Sequence, residues 1–474
     1  MKNAMPNKLG KFKPVVYFIC LVAATGGLLF GLDQGFIANA LDTISKVYHM
    51  DTAAAERYSA ILATGGVFGA LLSGIFARYL GRKRSLVFAG FLFCTASLVS
   101  AFLPPIDTLT VCRFILGFAV GIASFIVPLY LAETAPARIR GAMGTLFQLL
   151  ITIGIFLISV TDVFIDSLYS APEMSLPRMF GVIVFFALLM FIGSLFLPES
   201  PRWLMLAGKK PQAIAALNRT LATKEEVDFE INEIEETLRG PKSAGIGIVF
   251  KGYFFKVLLV GVALQMFQQL VGINVMIYYA PKIFGYAGMT GLVAMLTVPT
   301  VNMLFTFPAI KWVDKWGRKK LLYAGAVIML VSMLAAGLVF SSIGNQVDPA
   351  QIPGMAKGVL LAAVICYIFG FAMSWGPVAW LVCSEIFPLA GREVGMTITT
   401  MVNWTFAGLL MANSLTFMQT YGNASIFYLF AIFCVIAIVF VAAFVPETKG
   451  ITLEEIEINL KAGKALRKLG EMEK

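Results

Sequence analysis

Apolar residues gather along this chain into twelve blocks, separated by short polar connections and one long polar insert. The blocks fall near residues 15–40, 58–79, 84–104, 108–131, 141–163, 179–197, 255–280, 290–312, 319–341, 357–382, 395–419 and 424–445. A helix rising about 1.5 Å per residue needs about 20 apolar residues to cross hydrocarbon, and the blocks are of that length. Barrel strands would instead show short alternating segments. The pattern predicts an all-α integral membrane protein with twelve transmembrane helices. The insert, residues 201–250, differs: residues 209–238 carry mixed charge at helical spacing (KEEVDFEINEIEETLR) and predict short amphipathic helices on one membrane face. It separates an N-terminal six-helix bundle (1–200) from a C-terminal one (251–446), and a tail (447–474) is expected to be helical.

The connections repeat in order. LGRKRS after the second block returns as WGRKKL after the eighth, AETAPARIRG after the fourth as SEIFPLAGRE after the tenth, and PESPRW after the sixth as PETKG after the twelfth. Three matched loops, offset by about 240–250 residues, point to two bundles that rock about a site between them. Basic residues favour the same side: Lys2, Lys8, Lys11 and Lys13, then Arg82, Lys83 and Arg84, then Arg138 and Arg140, then Lys315, Arg318, Lys319 and Lys320, and finally Lys461, Lys464, Arg467 and Lys468. The positive-inside rule makes that side, with both termini, cytoplasmic. The opposite loops are read as holding Asp51, Asp107, Asp162 and Asp166.

Composition narrows the function. With 59% hydrophobic and 14% charged residues, the chain has too little polar material to cover a soluble domain. The net charge of +10 sits in the short clusters above, which suits an anionic lipid surface and not nucleic acid. Neither a phosphate-binding Gly-rich loop nor a nucleophile–base pair appears, so neither ATP-driven transport nor an enzyme is expected. The six cysteines lie in or beside apolar blocks without zinc-ligand spacing, and His49 is the single histidine. No metal site, cofactor or histidine proton relay is expected. The first block is too long for a cleavable signal and is read as the first span.

The seventh block, around residues 265–281 (QMFQQLVGINVMIYYAP), carries Gln268, Gln269, Asn274, Tyr278 and Tyr279. Amides at hydrocarbon depth need partners or water, and such groups both donate and accept, which suits an uncharged polyhydroxylated ligand. On a straight helix Gln268 and Tyr279 share a face that Asn274 and Tyr278 do not. A break at Gly272 would turn both groups toward one site. Interhelical amide bonding is the plainer alternative. Asp33 is the one ionisable residue inside the first block, expensive unless protonated, paired or wet, and Arg113 in the fourth lies at a compatible depth. Pairing and unpairing would switch its proton affinity, whereas a static ion pair would only hold the two helices together. In the cytoplasmic loops, Arg82, Glu133 and Arg140 in one half, and Arg318, Glu385 and Arg392 in the other, are candidates for a latch between bundles in the outward-open state, with Glu199 and Glu447 joining them. Asp314 precedes WGRKK, but IFARYLGRKRS has no matching acid, so the latch is expected to be asymmetric or to use Glu133 more heavily.

Together with FGLDQG and RFILGFAVG, the loops above and QQLVGINVMIYYAP make the chain resemble, over about residues 15–460, the sugar porter family of the major facilitator superfamily. Within that family it looks most like bacterial galactose, arabinose and xylose proton symporters. The resemblance implies alternating access between two six-helix bundles, sugar and H+ as partners, action as a monomer, and a bacterial inner (plasma) membrane. It implies proton coupling at Asp33 with Arg113. It also implies sugar contacts at Gln148, Gln268, Gln269, Asn274, Tyr279, Asn302, Gly376, Trp380, Asn403 and Trp404. Phe30 is placed to close on the ligand, and Tyr278 is an alternative candidate for an outer gate. Passive facilitators of the family usually carry asparagine at the position of Asp33, so the aspartate favours symport. A passive facilitator is the first rival, a sugar sensor the second, and a drug exporter the third.

Overall fold

The computed structural model describes residues 13–135, 140–169, 171–239, 246–344, 351–388, 391–449, 451 and 453–470. Twelve stretches are helical, long and apolar enough to cross a bilayer, and no strand occurs among the described residues. In the first half each span is one helix: α1 (Val15–Val47), α2 (Thr52–Tyr79), α3 (Arg82–Ala101), α4 (Ile106–Thr134), α5 (Arg140–Leu168) and α6 (Pro172–Phe196). The insert forms α7 (Pro201–Leu206), α8 (Lys210–Thr220) and α9 (Lys224–Arg239). These close over a small core of Leu204, Ala213, Ala216, Leu217, Val227 and Ile231, as their helical spacing predicts.

The second half is less regular. Its seventh span, Gly252–Tyr278, is split into α10 (Gly252–Leu270) and α11 (Ile273–Tyr278), followed by α12 (Ala280–Tyr286). Then come α13 (Leu292–Trp316), α14 (Arg318–Ile343), α15 (Gly354–Met373), α16 (Trp375–Ile386), α17 (Arg392–Met411), α18 (Ser414–Tyr421) and α19 (Ser425–Phe444). The break at Gly272 is the expected one: its φ of +101° is a backbone region that glycine enters without strain. Two further breaks carry no glycine signal. Ser374, at φ −134° and ψ −87°, parts α15 from α16, while its hydroxyl bonds the Gly370 carbonyl at 2.6 Å. Pro377 follows in the first turn of α16, where its missing N–H costs nothing. Asn413 parts α17 from α18, its amide bonding the Leu409 carbonyl at 2.7 Å.

Packing in the first half rests on close backbone approach. Gly27, Gly31 and Gly35 of α1 lie against the Phe147, Ile151 and Ile155 carbonyls of α5, and Gly65 and Gly69 of α2 lie against α4. Small residues at four-residue spacing let membrane helices touch where no hydrophobic effect pulls them together. Contacts between the halves run through α2 with α17 and α18, α5 with α13, and α1 with α11. In the tail, α20 (Leu453–Lys461) buries Ile456 and Leu460 and then stops at Gly463, whose φ is +77°. The tail is therefore helical over a shorter stretch than its composition suggests.

Gly272 also faces the Phe430 ring, so an added Cβ meets both a positive φ and a filled space. Gly272→Ala is expected to lower stability by about 2 kcal/mol or more, read as an earlier melting midpoint of the detergent-solubilised protein. A midpoint equal to wild type would show that the break tolerates a side chain.

Candidate functional site

The break at Gly272 turns the amides of the seventh span into one hydrogen-bonded chain. The Asn403 amide of α17 donates to Gln265 Oε1 at 2.7 Å and to Gln268 Oε1 at 2.5 Å. Gln269 donates to Asn403 Oδ1 at 3.0 Å and to Gln268 Oε1 at 3.1 Å. Asn274, across the break, donates to Gln269 Oε1 at 2.8 Å. The chain then leaves the second half: Gln34 of α1 donates to Asn274 Oδ1 at 3.3 Å. All six amides are buried. Each has found amide partners, the cheapest solution where water is scarce.

Gln34 adjoins Asp33, whose carboxylate meets Arg113 Nη1 at 3.1 Å with both side chains almost fully buried. The pair is joined by a single hydrogen bond. Asp33 Oδ2 and Arg113 Nε and Nη2 have no partner among the described residues. The guanidinium also lies 5.4 Å over the Tyr58 ring, a cation–π contact that supports its charge. Tyr278, buried in α11, lies close to Gln34, Asp33 and Arg113.

Other expected residues are placed less uniformly. Phe30 of α1 meets Trp404 of α17 at 5.2 Å between ring centroids, an aromatic contact across the halves. The Trp404 ring packs on Gly66 of α2, and its indole N–H has no partner among the described residues. Tyr279 points away from the amides: its hydroxyl bonds the Met411 carbonyl at 2.6 Å, at the end of α17. Asn302 is buried on α13, Gly376 is buried in the first turn of α16, and Trp380 of α16 and Gln148 of α5 are half-buried.

At the end where the matched loops meet, two similar networks form. Arg82 pairs with Glu133 at 2.8 Å, Glu199 accepts the Arg82 and Lys83 backbone N–H groups at 2.9 and 3.0 Å, and Ser200 donates to Glu133. Arg318 pairs with Glu385 at 2.9 Å, Glu447 accepts the Arg318 and Lys319 N–H groups at 2.8 and 3.1 Å, and Thr448 donates to Glu385. These described ion pairs run within each half, whereas the expected latch between halves concerns the outward-open state. Arg82 and Arg318 open α3 and α14, whose first N–H groups are taken by Glu199 and Glu447, and each guanidinium then reaches a glutamate of its own half, Glu133 or Glu385. Arg392 of α17 is half-buried, and the side chains of Arg140 and Asp314 lie outside the described residues.

Three polar residues escaped sequence reasoning. Gln34 looked like part of a loop-free apolar helix, and only its neighbour Asp33 hinted at it. Glu56 stood just before the second apolar block, yet Asp51 caps α2 by accepting from Ala54 N at 2.7 Å, and the helix carries Glu56 inward to full burial. There its carboxylate accepts the Leu415 and Thr416 N–H groups at 2.5 and 3.1 Å, and the Thr416 hydroxyl besides. It caps α18 from the opposite half. Asp162, read as a loop residue, is a correction: α5 runs on to Leu168, and Asp162 is buried inside it, 3.5 Å from the Asn39 amide of α1. Asn39, too, finds its partner only in the fold.

Glu56→Gln keeps the size and removes the charge that holds α18 to α2. A cysteine placed at the buried Ser59, one turn further along α2, is expected to react about tenfold faster with a water-soluble maleimide in that variant, native cysteines being absent. Unchanged reactivity would mean that the contact does not hold this end closed.

Comparison with known proteins matches residues 19–460 to the family model described as Sugar (and other) transporter. A galactose-proton symporter of Escherichia coli K12 is 40% identical over 462 residues, covering 97% of each chain. An arabinose-proton symporter of the same strain is 35% identical over 469 residues, covering 98% of each. Among solved structures, a proton:xylose symporter of the major facilitator superfamily, XylE, bound to 6-bromo-6-deoxy-D-glucose, superposes with a TM-score of 0.80 at 32% identity, covering 94% of this chain and 98% of that one.

Proposed function

We propose that this chain, which belongs to the Sugar (and other) transporter family of the major facilitator superfamily, is a proton-coupled monosaccharide symporter working by alternating access. The observation that carries this reading is the buried Asp33–Arg113 pair standing one residue from a continuous chain of buried amides. Relatives named as proton symporters for galactose and arabinose support the same coupling.

The residues would act as follows. Protonation of Asp33 removes its charge and releases Arg113, and the unpartnered second oxygen of Asp33 is open to receive the proton. The amides of Gln268, Gln269, Asn274 and Asn403, with Gln148 and Asn302, exchange their mutual hydrogen bonds for sugar hydroxyls. Trp380 and Trp404 offer indole faces to the apolar C–H surface of the ring, with Phe30 closing beside Trp404 and Gly376 leaving room for close approach. Tyr279, held on Met411 at the end of α17, and Tyr278, near Asp33 of α1, fit a gate better than a ligand contact. The halves 1–200 and 251–446 are the moving bodies, with 201–250 as their linker. Their loop networks would trade partners across the halves in the outward-open state, Arg140, Asp314 and Arg392 included.

The substrate class is an uncharged hexose or pentose, since beyond Asp33 and Arg113 the site offers amides and aromatic rings. A passive facilitator is the second reading, favoured if the Asp33–Arg113 pair is static. The protein is read as a monomer in the bacterial inner membrane, with both termini cytoplasmic because the basic loops gather on that side. It is read as a transporter without an enzymatic step.

Two outcomes test this. In proteoliposomes with an inward proton gradient, wild type should accumulate galactose, arabinose or xylose, and Asp33→Asn should lose accumulation while keeping sugar exchange. Downhill equilibration indifferent to gradient and mutation would leave a facilitator. Separately, Asn274→Ala or Gln268→Ala should weaken sugar binding about tenfold or more while the protein stays folded. Binding equal to wild type would remove the seventh span from the site.

A further inference from the structure

We infer that Gln34 is a positioning residue through which the sugar-binding amides act on the proton site. This rests on the symporter reading above. Three observations meet at this residue. Gln34 is buried and donates to Asn274 Oδ1 at 3.3 Å, the hydrogen bond that carries the amide chain from α11 to α1. It follows Asp33 directly, so any pull on its backbone moves the carboxylate that meets Arg113 at 3.1 Å. The Tyr278 phenol packs near the same side chain and near the ion pair.

Asn274 Oδ1 can accept from Gln34 or from a ligand hydroxyl, while its amide donates to Gln269 in this arrangement. A sugar arriving at Asn274 therefore changes what Gln34 bonds to, and with it the bond between α1 and α11. The Asp33–Arg113 contact, joined by one hydrogen bond, is the neighbour able to respond. Linkage makes the effect reciprocal: if sugar alters proton affinity at Asp33 through this bond, protonation alters sugar affinity by the same factor. Here one side-chain hydrogen bond between the halves carries part of the coupling. A buried neutral hydrogen bond is of the size that gives about a three- to tenfold effect.

The test uses the full-length protein in detergent, with D-galactose and D-xylose as probes. Affinity is measured at pH 5.5 and pH 8. Wild type supplies the ratio of the two affinities, and Gln34→Met, of similar length without the amide, is expected to shrink that ratio about three- to tenfold. Gln34→Ala serves as the second variant should Met disturb folding. Sugar–sugar exchange in proteoliposomes should persist in both. A pH ratio unchanged in a folded variant overturns the inference and leaves Gln34 a packing residue. A wild type that binds neither sugar, or binds with no pH dependence, instead overturns the symporter reading on which the inference rests.

Discussion

A polar group inside hydrocarbon has no water to fall back on, so it must find its partners in the protein or not be there. That constraint organises nearly everything of interest in this molecule. The six buried amides answer it by bonding one another, and Asp33 answers it with Arg113. The free N–H groups at the start of α18, exposed by the break at Asn413, answer it with the carboxylate of Glu56. Each solution joins helices that the apolar effect alone would leave indifferent to one another. Each is also reversible, because an amide or carboxylate that bonds a protein group can bond a ligand or a proton instead.

The solutions are distributed unevenly. Where the matched loops meet, the described ion pairs and caps lie within each half, through Arg82, Glu133 and Glu199 in one and Arg318, Glu385 and Glu447 in the other. Between the halves, the described polar links include Gln34 to Asn274, Glu56 to α18, Gln419 to Thr52, and Lys282 to Asp42. These gather toward the end away from the matched loops. Among the described residues, polar fastening between the halves is thus seen toward that end. The two arginine networks also show the internal repeat as chemistry: the same glutamate caps the same helix start, some 250 residues apart by the spacing of PESPRW and PETKG.

Irregularity is confined to the second half. α1 to α6 are continuous helices fitted together by glycine contacts, whereas α10–α11, α15–α16 and α17–α18 are broken. Broken helices present backbone and side-chain polar groups at mid-membrane depth, which is where a transported solute would be held. The continuous half holds the ionisable pair, and a rigid frame suits a carboxylate whose surroundings must be reproducible.

The number of spans, the repeat, the amphipathic linker, the break at Gly272 and the pairing of Asp33 with Arg113 could be read from the chain, because each leaves a local mark: apolar length, a recurring loop, a charge periodicity, a glycine, a lone charge. So could the family, from motifs that recur over most of the chain. The breaks at Ser374 and Asn413 could not, since serine and asparagine are tolerated in membrane helices and only the neighbouring carbonyls decide that the chain turns there. Nor could the roles of Gln34, Glu56 and the Asn39–Asp162 pair, whose partners lie 123 to 360 residues away in sequence. The sequence by itself determined which segments enter the membrane and which polar residues go with them, because hydrocarbon imposes its terms on each segment separately. Which of those polar residues meet was decided only by the tertiary structure, because a buried amide or carboxylate is indifferent to where its partner stands in the chain.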